Sequence, residues 1–287
     1  MSLERVAVIG PGRVGLTLAR ALTRAGRSVA VLGRNAGTLP DPLESVVTEW
    51  QSDTAAAAVI LIAVPDGAIE SVAERLASER CITAAHTVVH TSGIRSRAAL
   101  AALEDAGAAL GSWHPLQTFA RRSGEPEALA GSPAVIEGDD RALATGRALA
   151  AQLHMRPVIE LEATSKPLYH AAAVFACNYL VVLADIADRL TRDAIGEPAP
   201  ATLFLPLMRR TLAHLTDGTA AALTGPLSRG DAGTIAMHLA ALQGADRVAY
   251  LALADEALGL AVRSGLRPDL ASEVERVLRG EVTATDR

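Results

Sequence analysis

The chain contains a single lysine, Lys166, whereas its many other strongly basic side chains are all arginines. A guanidinium stays charged in proteins, whereas a lysine ammonium can lose its proton when it is buried away from water. Lys166 also stands at the head of an apolar segment that continues Pro-Leu-Tyr-His170. These features make Lys166 a candidate for giving or taking a proton. The alternative interpretation is that codon bias converted exposed lysines to arginine and left one by chance.

The segment after Lys166 places further polar side chains at helical spacing. An α-helix advances about 100° per residue, so Lys166, His170 and Cys177 would share one face. Asn178 lies in the apolar run 171–184, and a buried amide without partners costs about 1–3 kcal/mol. Asn178 is therefore expected to bond either to another helix or to a substrate. We take Lys166, His170 and Asn178 as candidate catalytic residues.

Two more segments carry polar side chains where packing does not require them. The first ends a predicted strand and contains His114, a fourth catalytic candidate, and Gln117. The second is a glycine-containing turn with Arg229 and Asp231, and it leads into a helix that carries His238. Asp231 is suited to cap that helix, and Arg229 could hold an anionic substrate or a cofactor phosphate. The candidate substrate-binding residues are therefore Gln117, Arg229, Asp231 and His238.

A glycine motif near the start of the chain indicates a nucleotide site. Gly10, Gly12 and Gly15 fit G-x-G-x-x-G, and the motif lies between the first predicted strand and the first predicted helix. There the glycines would allow a tight turn and bring a pyrophosphate close to the free N–H groups of the helix N-terminus. The candidate cofactor contacts in this turn are Gly10, Pro11, Gly12, Arg13, Val14 and Gly15.

The end of the second predicted strand favours NADP(H) over NAD(H). An NAD-binding protein usually has a carboxylate there for the ribose 2′-hydroxyl, but this chain reads Gly33-Arg34-Asn35. A guanidinium would instead pair with a 2′-phosphate. Arg34, with help from Arg13, therefore predicts NADP(H). The alternative is that Arg34 is an exposed loop cation in an arginine-rich chain.

Polar turns also follow two later predicted strands. Val64-Pro65-Asp66 and Thr91-Ser92-Gly93 come at carboxyl ends of strands, where open α/β sheets bind ligands. They could line the ribose and the nicotinamide. Asp66 and Ser92 could equally cap the helices that follow, and the sequence does not separate the two roles.

The elements that must position these residues fall into two sections. In the first, short β-rich runs alternate with helical stretches, which is typical of a parallel sheet covered by helices. We expect strands at 5–9, 28–32, 59–64, 87–90, 111–114, 133–137 and 157–160, and helices at 13–25, 68–78 and 141–153. From residue 165 onward only helices are expected, near 166–192, 199–215, 231–242, 245–264 and 268–279. The sequence thus predicts an α/β Rossmann-type domain, 1–163, followed by an all-α domain, 164–287.

Composition argues against several classes of partner and site. The net charge of −5 comes from interspersed signs, so neither nucleic acid nor an anionic membrane is expected as a partner. The apolar runs 55–64 and 171–184 are shorter than the roughly 20 residues that span a bilayer, and the start of the chain does not resemble a signal peptide. A cytoplasmic protein is therefore expected. A zinc site would have to use His90, His114, His170 and His238, whose spacings match no metal motif, so no metal is expected.

Several motifs in order resemble a known family. They read Gly10-x-Gly12-x-x-Gly15, His114-Pro-Leu-Gln-Thr-Phe, Lys166-x-x-Tyr169-His170-Ala-Ala-Ala, Asn178-Tyr-Leu and Thr224-Gly-Pro-x-x-Arg229-Gly-Asp231. Over nearly the whole chain they are similar to a bacterial family that joins a Rossmann-like NADP-binding domain to a helical C-terminal domain of unknown function. More distantly, the layout is similar to pyrroline-5-carboxylate reductase, prephenate dehydrogenase, ketopantoate reductase, and the 6-phosphogluconate and β-hydroxyacid dehydrogenases.

The distant relatives imply a hydride-transfer site between two domains, and a helical domain like that of 6-phosphogluconate dehydrogenase, which often forms homodimers. Lys166 could match the lysine that handles the proton on the substrate oxygen in the β-hydroxyacid dehydrogenases. Asn178 lies farther from the lysine than its counterpart does there, and His170 occupies the nearer place. These similarities and residues predict an NADP(H)-dependent oxidoreductase for a small polar carbonyl, hydroxyl or imine substrate. The alternative is a non-catalytic NADP(H)-binding sensor or regulatory protein.

Overall fold

The chain forms two compact units, Met1–Tyr179 and Leu180–Arg287. The structure is a computed structural model that describes residues 5–120, 124–197, 200 and 202–281. Within these residues, all the strands belong to the first unit. The boundary expected after residue 163 was placed where the strand signal ends, and it stays a prediction. The helix start expected at Ala199 lies outside the described residues.

An eight-stranded sheet forms the centre of the first unit. Its strands are β1 (Arg5–Ile9), β2 (Ser28–Leu32), β3 (Val46–Val47), β4 (Val59–Ile62), β5 (Thr87–His90), β6 (Ala109–Pro115), β7 (Ala134–Gly138) and β8 (Val158–Glu160). Their spatial order is β3-β2-β1-β4-β5-β6-β7-β8. All neighbours are parallel except β6 and β7. The predicted Rossmann-type parallel sheet is confirmed, whereas β3 and the antiparallel pair were not anticipated.

Helices cover both faces of this sheet. They are α1 (Arg13–Arg24), α2 (Trp50–Ala56), α3 (Ile69–Ser78) and α4 (Asp140–Gln152), together with a 3₁₀ segment, Arg97–Ala106. Side chains of a strand alternate between the two faces. Val6 and Val8 accordingly join the core that includes α1 and α4, whereas Ala7 and Ile9 join the core that includes α3 and the 3₁₀ segment. Helix α2 and the 3₁₀ segment were missed in the sequence.

The strand register brings the carboxyl ends of five strands to one edge. Ile9 of β1 pairs with Leu32 of β2 and with Ile62 of β4, and Ile62 pairs with His90 of β5. His90 in turn pairs with Ser112 of β6. The turns that begin after these positions therefore lie along the same edge of the sheet, where open α/β sheets bind ligands.

The helix expected at 166–192 is interrupted at Cys177. It forms α5 (Lys166–Ala176) and α6 (Asn178–Ile195), and Cys177 adopts φ −120° and ψ −65°, outside the helical region. The periodic pattern of apolar residues continues through Cys177, so the interruption could not be predicted from that pattern.

The second unit contains only helices and connecting turns in its described residues after α6. Its further helices are α7 (Leu205–His214), α8 (Thr219–Ala222), α9 (Pro226–Arg229), α10 (Ala232–Ala241), α11 (Gly244–Arg263) and α12 (Pro268–Leu278). Ile235, Leu258 and Val274 lie at the centre of its core. The predicted helical C-terminal region is confirmed.

Among the residues that the structure describes, one helical stretch is long and apolar enough, by length and composition alone, to cross a membrane. It runs from Ala163 to Ile195 with a mean hydropathy of 1.6, and none of its most apolar window is buried within the structure. The sequence had suggested only the shorter run 171–184. Its first α-helical residue, Lys166, is nevertheless fully buried within the first unit.

Candidate functional site at the carboxyl edge of the sheet

The glycines of the turn between β1 and α1 differ in how much space surrounds them. Gly10 has φ +108°, and a Cβ there would lie 2.5 Å from the Ala63 carbonyl oxygen. A Cβ on Gly15 would lie 2.0 Å from the Gly10 oxygen. At Gly12, in contrast, a Cβ would meet no atom within 4 Å. Gly10 and Gly15 are thus required by the fold, whereas Gly12 leaves open space for an approaching ligand.

The N-terminus of α1 offers free hydrogen-bond donors at this space. Its N-cap, Gly12, makes no side-chain cap, and the first turn has no acidic residue. Pro11, Gly12 and Arg13 are exposed, whereas Val14 is half-buried. The first N–H groups of a helix lack partners within it, and the helix dipole favours an anion there. The turn could therefore hold an anion, and its contact with a pyrophosphate stays a prediction.

The turn after β2 is held firmly and leaves Arg34 exposed. A Cβ on Gly33 would lie 2.7 Å from Val46 Cγ1 and 3.2 Å from the Pro11 ring. Trp50 Nε1 donates a hydrogen bond of 3.0 Å to the Gly33 carbonyl. Arg34 thus sits on a fixed turn beside the glycine motif, with its guanidinium accessible to an anion.

The two later turns differ in how their polar residues are used. Asp66 is exposed and begins a 3₁₀ turn, Asp66–Ala68, that has no side-chain cap. Ser92 is buried, and its hydroxyl accepts hydrogen bonds from the backbone N–H groups of Ile94 and Arg95. Ser92 therefore closes a turn and does not cap the following helix, because the N-cap of the 3₁₀ segment Arg97–Ala106 is Ser96.

Lys166 is enclosed beneath this edge of the sheet. Its side chain is fully buried, and Nζ donates hydrogen bonds to Ser112 Oγ at 2.7 Å and to the Ser92 carbonyl at 3.3 Å. Burial lowers the pKa of Lys166 to about 8, while the carboxylates of Glu137 and Asp66 act in the opposite direction. At neutral pH the amine therefore remains mostly protonated, at an interior position where a cation is otherwise costly.

His114 and Tyr169 form a hydrogen-bonded pair beside Lys166. The Tyr169 hydroxyl lies 2.8 Å from His114 Nδ1, and the rings meet edge to face. Burial, followed by the nearby charge of Lys166, lowers the pKa of His114 to about 4. Burial also raises the pKa of Tyr169 to about 12. Both groups are therefore neutral at physiological pH, and the pair can present a proton either on the imidazole Nε2 or on the phenol.

A cavity of about 800 Å³ opens next to this pair, entirely within the first unit. Its lining includes His114, Tyr169, His170, Cys177 and Asn178. The predicted polar face of the helix is thus divided, because His170 and Cys177 line the cavity whereas Lys166 lies outside its lining.

Gly93 lies between this cavity and the edge of the sheet where the cofactor is predicted to bind. A Cβ at Gly93 would lie 2.7 Å from His170 Nδ1 and 3.0 Å from His114 Cε1. His170 Nδ1 is buried and has no hydrogen-bond partner among the described residues. A buried polar atom without a partner costs free energy, so a ligand in the cavity could satisfy it.

Two other predicted residues line the cavity in ways the sequence did not indicate. Asn178 is exposed, so the expectation of a buried amide was wrong. The apolar residues around it suggested burial, but much of that helix surface is exposed in this chain. Gln117 is also exposed, and its side-chain amide donates to the Ala128 carbonyl and accepts from the Thr118 N–H, which holds its own loop.

The remaining candidates belong to the second unit. Asp231 caps α10, because its carboxylate accepts a hydrogen bond of 3.0 Å from the Thr234 N–H. Arg229 is exposed beside a smaller cavity that also includes Arg267. His238 is exposed and bonds to the Tyr250 hydroxyl through Nδ1 at 2.9 Å. Their roles toward a substrate stay predictions.

Residues with metal-binding side chains are not gathered in the described part of the chain. There, no group of three or more His, Cys, Asp or Glu residues is arranged to hold an ion. His90, one member of the zinc alternative, is fully buried, and both ring nitrogens have backbone partners. Nδ1 accepts from the Ser92 N–H, and Nε2 faces the Ser96 carbonyl at 3.0 Å.

Three residues of this arrangement were not singled out as functional in the sequence. Ser112 and Glu137 surround the Lys166 amine, and Tyr169 was noted only as an aromatic residue. Glu137 ends an otherwise apolar strand, which could have marked it as a buried carboxylate. Its position opposite Ser112 depends on the antiparallel register of β6 and β7, which the sequence did not indicate.

Comparisons with known proteins agree with this architecture. Residues 2–115 match the Rossmann-like domain family, and residues 132–257 match a domain of unknown function, DUF2520. No protein among those with curated descriptions matches the chain.

Solved structures with the same fold include several reductases. A "putative NADP oxidoreductase" from Bacteroides fragilis is 24% identical with a TM-score of 0.68, covering 90% of this chain and 100% of that one. A reductive aminase from Aspergillus terreus, in complex with NADPH and ethyl-5-oxohexanoate, is 18% identical with a TM-score of 0.60, covering 97% and 95%. An imine reductase from Bacillus cereus is 19% identical with a TM-score of 0.54, covering 96% and 93%. At these identities the likeness shows the fold, and the two family matches show a Rossmann-like N-terminal domain followed by a DUF2520 domain.

Proposed function

We propose that the protein is an NADP(H)-dependent oxidoreductase that reduces or forms a carbonyl or imine group in the cavity beside His114. The observation that carries the proposal is the position of Gly93. It belongs to the edge where a dinucleotide would lie, and it also packs against both histidines that line the cavity. A reacting group in the cavity would therefore be next to the nicotinamide end of the cofactor.

The glycine turn and Arg34 would hold the cofactor. The open space at Gly12 and the free N–H groups of α1 suit the pyrophosphate, and the exposed Arg34 suits a 2′-phosphate. The reductive aminase with the same fold was solved with NADPH, which supports the choice of cofactor. When bound, NADPH would supply the hydride that adds to the carbon of a C=O or C=N group.

The chain must then supply the proton that completes an alcohol or amine. Lys166 was the predicted donor, but its amine is fully buried and engaged by Ser112 and Ser92. His114 and Tyr169 line the cavity, are neutral, and can shift a proton along their shared hydrogen bond. We therefore assign proton delivery to this pair, with Lys166 acting from behind as a fixed positive charge. Direct proton transfer from Lys166 remains the competing prediction.

His170 and Asn178 would orient the substrate. Both line the cavity, and His170 Nδ1 is a buried acceptor or donor in need of a partner. A hydroxyl, amine or carbonyl of a small polar substrate would provide that partner. Whether Arg229 neutralises an acid group of the substrate stays a prediction.

The experiment that tests this function is NADPH consumption by the purified protein across a panel of imines, keto acids and aldehydes. Turnover of any class supports the oxidoreductase and identifies the type of reacting bond. Tight binding of NADPH without turnover, together with a protein partner recovered by affinity capture, would instead support the regulatory protein. The observation that favours the regulatory alternative is the full burial of Lys166, the only lysine of the chain.

We further propose that two copies associate through the exposed apolar surface of the helical domain. Val181, Leu207 and Val248, all in the second unit, are 68%, 64% and 67% exposed, and large exposed apolar patches mark interaction sites. Insertion into a membrane is disfavoured, since the first residues of the same segment, Lys166 and Tyr169, are bonded to the sheet. Light scattering should give a dimer mass that Val181→Glu reduces. A soluble, cytoplasmic protein is consistent with this proposal and stays a prediction.

A further inference from the structure

A buried polar chain leads from Glu137 to Lys166. Ser112 and Glu137 are directly opposite each other on the antiparallel strands β6 and β7. Both are buried, with exposed fractions of 2% and 5%. The Lys166 amine lies 2.7 Å from Ser112 Oγ, and Ser112 Oγ lies 3.3 Å from Glu137 Oε2. One hydroxyl therefore connects the only lysine to a buried carboxylate.

The direction of these hydrogen bonds fits a protonated amine near a carboxylate. Lys166 donates to Ser112 Oγ, which leaves the hydroxyl hydrogen free to point at Glu137 Oε2. The same carboxylate oxygen accepts a hydrogen bond of 2.8 Å from the Arg97 N–H. The second partner of the amine is the Ser92 carbonyl, which can only accept. An uncharged amine has two N–H donors and could make both bonds, so it is the nearby carboxylate of Glu137 that favours the ammonium.

The Ser92 carbonyl is itself held in place by His90. The Ser92 N–H donates to His90 Nδ1, and His90 Nε2 bonds to the Ser96 carbonyl. The two bonds fix which nitrogen carries the proton and clamp the turn on both sides. Burial lowers the pKa of His90 to about 4, so this clamp stays neutral and adds no positive charge next to Lys166.

Charged and titratable groups face Lys166 from each neighbouring element. Glu137 on β7 and Asp66 after β4 both stabilise the ammonium, whereas burial destabilises it. His90 on β5 and His114 on β6 feel the charge of Lys166, which lowers the pKa of each. His170, from the same helix as Lys166, lies beside His114. Glu137 is the buried carboxylate of this group, and it is the one linked to the amine by a shared hydroxyl.

We propose that Glu137 is a positioning residue that acts through Ser112 to hold Lys166 as an ammonium ion beneath the His114–Tyr169 pair. The fixed ammonium in turn adds to burial in disfavouring protonation of the His114 imidazole. Its consequence for catalysis rests on the proposed function, whereas the charge of Lys166 can be measured without any cofactor or substrate.

Because Lys166 is the only lysine, isotope-labelled lysine gives a single side-chain signal. The full-length protein grown with ¹³C,¹⁵N-lysine should show one lysine Cε resonance by NMR, whose shift against pH reports the charge directly. In the wild type we expect a midpoint at about 8, the pKa set chiefly by burial. In Glu137→Gln the midpoint should fall by roughly one pH unit, the size typical of a lost opposite charge nearby.

Glu160→Gln is the matched control. Glu160 on the adjacent strand β8 is exposed and paired with Arg147, so the same substitution there should leave the midpoint unchanged. If Glu137→Gln does not fold, Ser112→Ala removes the connecting hydroxyl without changing the charge, and it should also lower the midpoint. An unchanged midpoint in the folded Glu137 or Ser112 variant would overturn the proposal, as would a wild-type midpoint near the ordinary lysine value of 10.5.

A second readout connects the positioning role to turnover. If the protein reduces a substrate, loss of the Lys166 proton at high pH should appear as the alkaline limb of kcat/KM, and Glu137→Gln should move that limb to lower pH. If the NMR midpoint of Lys166 shifts but the alkaline limb of kcat/KM does not, Glu137 sets the charge of Lys166 without affecting the reaction. If the protein shows no turnover, the NMR measurement still tests the charge of Lys166.

Discussion

The Tyr169 hydroxyl lies 2.8 Å from His114 Nδ1 and joins the first helix after the Rossmann strands to the end of β6. Both side chains line the same cavity, and both are neutral near pH 7 because burial moves their pKa values away from that range. A neutral imidazole–phenol pair can give a proton to a substrate. When solvent replaces that proton, the pair is neutral again.

Replacing Tyr169 by phenylalanine should therefore reduce kcat and leave the affinity for NADPH unchanged. The ring still fills its place, but the hydroxyl that shares a proton with His114 is lost. General acid catalysis contributes about 10²–10⁴-fold, so a loss in that range is expected in steady-state assays. Tyr179→Phe removes a hydroxyl from an exposed tyrosine on the next helix and serves as the control. Full activity in Tyr169→Phe would return proton delivery to Lys166.

Gly12→Ala should separate ligand binding from folding. An added methyl group would meet no protein atom within 4 Å, and Gly12 has an extended backbone, φ −86° and ψ −173°, that alanine can adopt. The thermal unfolding midpoint should therefore stay close to that of the wild type. Calorimetric binding of NADPH should be lost, because the methyl group occupies the space for the pyrophosphate.

Gly259→Ala is the control for this substitution. Gly259 lies within α11, and an added Cβ there would meet only the end of the Arg263 side chain, at 3.4 Å. NADPH affinity should be unchanged. If Gly12→Ala binds NADPH as the wild type does, the cofactor does not lie on this turn.

Arg34→Ala should weaken NADPH binding far more than NADH binding. Hydrogen bonds to charged groups contribute about 1.5–3 kcal/mol, which corresponds to roughly tenfold to a hundredfold in Kd. Arg210→Ala removes an exposed arginine from α7 and should affect neither cofactor. Equal losses for NADPH and NADH in the Arg34 variant would refute the assignment of the 2′-phosphate.

The burial of Lys166 also predicts how stability depends on pH. Its folded-state pKa of about 8 lies below the ordinary value of 10.5, so between these values the unfolded chain binds more protons. The free energy of unfolding should therefore rise with pH in this window. Relative to Lys166→Met, the wild type should gain a few kcal/mol, since one pKa unit corresponds to about 1.4 kcal/mol. Denaturant unfolding of both proteins at several pH values measures this difference, and parallel curves would contradict it.

Local patterns predicted the parts of the site that depend on a single turn. The glycine motif required only a strand, a turn and a helix in succession, and Gly10, Gly12 and Gly15 occupy those places. Lys166 was singled out because it is the only lysine, and burial at the sheet edge agrees with the expectation of a perturbed amine.

Features of the site that depend on pairing between strands distant in the sequence could not be predicted from local patterns. Glu137 reaches Ser112 only because β7 runs antiparallel to β6, and no local pattern sets that direction. Asn178 was expected to be buried because its neighbours are apolar, but an apolar surface can be left for a partner outside the chain. The interruption at Cys177 likewise falls within an uninterrupted periodic pattern.

Deuterium transfer from NADPH to a product would show hydride transfer itself. NADPH carrying deuterium at the reactive C4 position would be incubated with the protein and a panel of imines, keto acids and aldehydes, and the products analysed by mass spectrometry. We expect a product that gains one deuterium on the former C=N or C=O carbon, with little such transfer in Tyr169→Phe. Saturable NADPH binding that is abolished by Gly12→Ala, with no deuterium in any product, would contradict catalysis and leave a protein that only binds the nucleotide.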